Sequence, residues 1–154
     1  MLFKKLHSVN IWDVYNDELI KSSKIQDNYH TIKNVHPIKG KYPNCGDEMD
    51  VFLELDNDTI KDISFKGELC MISKASANYM IDILKGKKIK QVMELIDEFN
   101  DFINHNEIKK EHLSIFKNIS IFEKVNKLYG RTNCALLPWN TVKFILDHNK
   151  GSLL

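Results

Sequence analysis

The chain changes hydrophobic period twice along its length. Over 11–21, "IWDVYNDELIK" sets Ile11, Val14, Tyr15, Leu19 and Ile20 near one face at helical spacing, which predicts a short N-terminal helix. The polar, turn-rich stretch from Ser22 to Asn44 reads as an irregular connection. From Glu48 the period drops to two: Met49, Val51, Leu53 and Leu55 alternate with Asp50, Phe52 and Glu54, as in a strand with one face buried. "DNDT" supplies turn residues, and "IKDISFKG" reads as the returning strand of a hairpin.

After Cys70 the helical period returns. Ile72, Ala75, Tyr79, Ile83 and Leu84 mark one helix, closed by Gly86, and Val92, Leu95, Ile96, Phe99 and Phe102 or Ile103 mark the next. The stretch from His112 to Gly130 reads as a third, less regular helix. A last one begins at Cys134, where Pro138 is expected in a first turn that misses no amide donor. Trp139 and the Phe99/Phe102 stripe read as core. Helix, then strands, then helices favours an α+β fold, a small antiparallel sheet packed against helices.

At 154 residues the length suits a single domain over 1–154: an N-terminal helix and irregular segment, 1–42, followed by a core from 43 to 148. Twenty-two basic against twenty-one acidic side chains leave no electrostatic case for nucleic acid or an anionic membrane as partner. No apolar run is long enough to cross a bilayer and no signal peptide is evident, so a cytoplasmic protein is expected. Cys45, Cys70 and Cys134 are odd in number and widely spaced, which suits free thiols or metal ligands better than disulfides.

All three cysteines fall at predicted element ends, and a helix N-terminus favours thiolate over thiol. Gly46 and Gly67 are expected to give the backbone room beside a bound ion. Three thiolates with the Asp47 carboxylate would make a four-coordinate zinc site, the hard oxygen being its most easily displaced ligand. Spacing alone leaves two readings open, metal ligands or small buried residues. The sole arginine, Arg131, lies three residues before Cys134.

"PNCGDEMDVFLEL", "FKGELCMISKASANYM", "LKGKK" and "GRTNCALLPW" together resemble the signature segments of the IscU/NifU-N family of iron–sulfur assembly proteins, most closely its SufU-like branch. The long interval from Cys70 to Cys134 fits that branch, as do Arg131 and an Asn133 where IscU carries histidine. The resemblance implies an IscU/SufU-like fold in which Cys45, Asp47, Cys70 and Cys134 bind zinc. It also implies a sulfurtransferase-like acceptor role rather than that of a conventional enzyme. Cys45 would take persulfide sulfur from a pyridoxal-phosphate cysteine desulfurase of the SufS kind, and Asp47 would be the labile ligand. Arg131 would orient a carboxylate of the desulfurase or steady Asp47. Downstream, a scaffold or apo-proteins would receive the product.

The alternative that the family carries is a scaffold on which iron and sulfide build a [2Fe–2S] cluster on the same four ligands. A zinc deaminase would need a C-x-x-C ligand pair, and none is present. Ser73 and Lys74 are expected to solvate and cap the helix after Cys70, and Ser76 to permit close helix packing. His30, His36, His105, His112 and His148 are expected on the surface.

Overall fold

The structure, a computed structural model, describes residues 10–42 and 46–148; Cys45 falls outside the described residues. Two short helices come first, α1 (Ile11–Val14) and α2 (Asp17–Ser23). The expected single helix is broken because Asn16 caps a new one: its side chain accepts from Leu19 N–H at 2.9 Å and donates to the Ile121 carbonyl at 3.0 Å.

Three antiparallel strands follow in the order β1 (Ile38–Tyr42), β2 (Asp47–Asp56) and β3 (Thr59–Glu68). β1 lies within the stretch expected to be irregular. Only Ile38 supplies an inward apolar side chain, partly buried against the core; at inward Gly40 a Cβ would sit 2.1 Å from the Thr141 hydroxyl, so the strand closes on a helix with little alternation to signal it. The β2–β3 hairpin turns at Asn57, which adopts the left-handed conformation, as the turn residues predicted. Met49, Val51, Ile63 and Phe65 are buried against the helices. Phe52, assigned to the polar side, is buried too; it pairs across the strands with buried Ser64, so the second face is closed at its middle.

The helical layer is α3 (Met71–Leu84), α4 (Ile89–His105) and α5 (Arg131–His148). The predicted apolar faces of α3 and α4 hold, apart from Tyr79, which is only partly buried. Phe99 and Trp139 stack with ring centroids 4.0 Å apart at the centre.

Two further helix expectations fail. The stretch from His112 to Gly130 is not a helix. Three short 3₁₀ turns span 110–127, and left-handed Asn106 and Asn118 interrupt any continuous helical path. The last helix begins three residues before Cys134, so Pro138 lies inside it and not in its first turn. Proline removes the amide that would bond to the Cys134 carbonyl one turn back. That carbonyl accepts instead from the Ser73 hydroxyl of α3 at 3.0 Å.

His112, expected on the surface, is half-buried, and its Nδ1 meets the Glu98 carboxylate. Glu98 is 4% exposed and also accepts the Lys109 N–H at 2.5 Å, so one carboxylate of α4 pins the 3₁₀ segment. Glu98→Ala leaves both partners unpaired and is expected to cost about 1.5–3 kcal/mol, the range for hydrogen bonds to a charged group. Urea unfolding monitored by circular dichroism measures it.

Candidate metal centre

The centre forms where β2 begins and α3 begins. Cys70 is the N-cap of α3 and its sulfur accepts from the Ser73 N–H at 3.4 Å, so the thiol sits at the positive end of the helix, as the sequence predicted. Asp47, the first residue of β2, turns its carboxylate to the same helix end. One oxygen accepts the Cys70 N–H at 2.8 Å and the other accepts the Ser73 hydroxyl. Cys134 arrives from the first turn of α5. One ligand atom each from Asp47, Cys70 and Cys134 lies within 4.8 Å of the others.

Tetrahedral zinc with bonds of about 2.0–2.3 Å holds its donor atoms roughly 3.3–3.8 Å apart, so small side-chain adjustments suffice for these three to share an ion. The donor chemistry, two thiols and one carboxylate, fits zinc or iron. Cys45, the fourth expected ligand, lies outside the described residues, two positions before Asp47 in the chain.

Burial is graded across the set. Cys134 is wholly buried and Asp47 is 4% exposed, whereas Cys70 is half-buried. The Cys70 thiol is pulled down to about 6, first by its hydrogen bond with Cys134 and then by the Ser73 hydroxyl and amide, against burial, which pushes it up. Arg131 directs Nη1 to the Cys134 sulfur at 3.9 Å, so the lone guanidinium does face the cluster.

Gly67 has a different use from the one expected. A Cβ there would lie 2.1 Å from the Glu48 carbonyl, so the glycine admits the neighbouring strand rather than an ion. Gly46 holds φ +74° with open space around its Cβ position, and serves the turn into β2.

Three residues stand differently from what the sequence suggested. Ser73 does not merely cap: it is fully buried and its hydroxyl lies 3.4 Å from the Cys70 sulfur while meeting Asp47 and the Cys134 carbonyl. The available signal was its position three residues after an N-cap, where a side chain turns back on the cap. Tyr15, read as helix core, lies within electrostatic range. Burial raises its phenol, Arg131 opposes this, and Cys70, Cys134 and Asp47 add to the rise. Ser76, expected to ease packing, donates to the Ala135 carbonyl at 2.5 Å and accepts from the Trp139 indole at 3.0 Å.

The family described as NifU-like N terminal domain matches residues 15–135. Among curated proteins, the chain is 29% identical over 143 residues to the iron–sulfur cluster assembly scaffold protein IscU of Thermotoga maritima, covering 93% of this chain and 94% of that one. It is 27% identical over 136 residues to the zinc-dependent sulfurtransferase SufU of Bacillus subtilis, covering 88% and 91%. A crystal structure described as an iron–sulfur cluster assembly scaffold protein for the SUF system, from Fervidobacterium islandicum, superposes with a TM-score of 0.81. It shares 29% identity and covers 89% of this chain and 99% of its own.

A lowered Cys70 pKa has a definite pH signature. In chelator-treated protein, alkylation of Cys70 by iodoacetamide is expected to be near its plateau at neutral pH and to fall as pH drops through about 6. An ordinary thiol would still be gaining reactivity near its own pKa of about 8.5. Peptide mass spectrometry across a pH series separates Cys70 from the other two cysteines.

Proposed function

The chain belongs to the NifU-like N-terminal domain family, and on that footing we propose that it works in iron–sulfur cluster assembly as a zinc-dependent acceptor and carrier of persulfide sulfur. The observation that carries this reading is the meeting of Asp47, Cys70 and Cys134 at the N-terminus of α3. Cys45, Asp47, Cys70 and Cys134 would hold the metal. Zinc, when bound, would keep its cysteine ligands deprotonated near neutral pH.

The donor is a pyridoxal-phosphate cysteine desulfurase of the SufS kind, and the receivers are a downstream scaffold or apo-proteins. The Cys45 thiolate attacks the outer sulfur of the desulfurase persulfide. A new S–S bond forms on Cys45, the old one breaks, and the desulfurase cysteine leaves as thiolate, with no net oxidation. Asp47 would be the labile ligand: its two oxygens already accept from the Cys70 N–H and the Ser73 hydroxyl, so the carboxylate would stay partnered without the metal. Arg131, beside Cys134, steadies the negative charge of the ligand set. The reducing cytoplasm would suit this chemistry, since thiols stay free there; among the described residues no helix is long and apolar enough to cross a membrane.

The scaffold names of the Thermotoga and Fervidobacterium relatives favour a second reading, in which a [2Fe–2S] cluster is the cargo built on the same ligands. Anaerobic incubation with iron and sulfide discriminates: an oxygen-labile visible chromophore supports the scaffold, and its absence together with bound zinc supports the carrier.

Incubation with desulfurase and cysteine is expected to add the mass of one sulfur to Cys45. Cys45→Ala should abolish that gain with far-UV circular dichroism retained; uptake at wild-type level by the variant would remove the acceptor assignment. Asp47→Ala is expected to lose zinc to a chelator faster than wild type. Chelation of the wild-type protein should lower its melting temperature, since a ligand bound only to the folded state stabilises it.

A further inference from the structure

Beside Cys70 the surface sinks into a depression of about 360 Å³ between the end of α2 and the start of α3. Its lining is Ser23, Lys24, Gln26, Leu69, Met71 and Lys74. Leu69 and Met71 are the two chain neighbours of Cys70, and Met71 is 37% exposed. Two lysines and no acid line it, in a chain whose charges nearly cancel. Among the described residues neither Lys24 nor Lys74 makes an ion pair.

Lys74 stands where helix physics disfavours it. It lies in the first turn of α3, where the helix dipole repels a cation, and that turn has no acidic residue to offset it. Lys24 is the C-cap of α2, a favourable place for a cation on its own account. Together they converge on a concavity with an apolar floor. Such a surface fits a carboxylate flanked by an apolar side chain.

We propose that this depression docks a carboxylate-bearing segment of the sulfur-donating desulfurase and so brings the donor to the lip of the metal centre. The inference rests on the sulfur-acceptor reading above and adds where and through what chemistry the donor is held. Lysine pairs of this kind act mainly on encounter, so they should govern half-saturation and its salt dependence rather than the transfer step.

The test uses full-length zinc-loaded protein and a SufS-class cysteine desulfurase supplied with cysteine, and follows sulfide or persulfide formation as acceptor concentration varies. The double variant Lys24→Glu/Lys74→Glu is expected to raise half-saturation about tenfold at low salt and to leave the maximal rate within about twofold. The difference should shrink as salt rises from about 50 to 300 mM. The control Lys90→Glu/Lys124→Glu makes the same change of net charge at exposed positions outside the depression, and should behave as wild type.

Half-saturation unaltered in the first variant, or raised equally in the control, overturns the docking surface while leaving the acceptor reading intact. Faster zinc loss with unaltered half-saturation also overturns it, since the lysines would then serve the ligands. If wild-type protein receives no sulfur at all, the acceptor reading fails and takes this inference with it.

Discussion

The Asp47 carboxylate is the tie on which the site depends. It is 4% exposed, and a carboxylate buried as an unpaired charge would cost several kcal/mol. It is tolerated because the N-terminus of α3 supplies donors, the Cys70 N–H at 2.8 Å and the Ser73 hydroxyl, along with the positive end of the helix dipole. The Ser73 oxygen also lies 3.0 Å from the Cys134 carbonyl of α5, so the two acceptors share its single proton and the tie reaches that helix. Pro138 makes that last link available, because it deletes the amide to which the carbonyl would otherwise bond. A strand and two helices are thus joined through one serine, and the spacing of the three donor atoms follows from that junction.

What could be read from the chain, and what could not, divides along physical lines. The hairpin, α3 and α4 were legible because each buries a regular apolar stripe, and residues such as Val92, Leu95 and Phe99 repeat at the helical period. β1 was not, because Ile38 is followed on its inward face by a glycine pressed on Thr141, which leaves no alternating apolar pattern. The segment 106–130 imitates a helix in composition, yet its order comes from tertiary partners: Phe116 and Phe122 enter the core, and Glu98 holds it by a charge that no local pattern shows. Pro138 misled for a related reason. A proline inside a helix looks prohibitive until another helix supplies a hydroxyl for the orphaned carbonyl.

The site was legible at a different level. Cysteine positions at element ends suggested reactive or ligating sulfur, and the motif resemblance named Cys45, Asp47, Cys70 and Cys134 together, of which the last three lie among the described residues. The structure does bring those three to one place. Ser73 was missed because its contribution is made across the fold: a serine after an N-cap has an ordinary explanation that only its surroundings displace.

The mixture of ligands has an energetic logic that bears on either family role. A centre that must release its cargo or free a thiolate has to break a metal–ligand bond without stranding a buried charge. A fourth thiolate at position 47 would face that penalty on release, since sulfur is a weak hydrogen-bond acceptor. A carboxylate at that position exchanges the ion for an amide and a hydroxyl already in contact with it. The wholly buried Cys134 forms the fixed inner wall, and half-buried Cys70 with exposed Met71 forms the outer lip. The side of the site that a partner can reach is therefore the one at Cys70 and Met71.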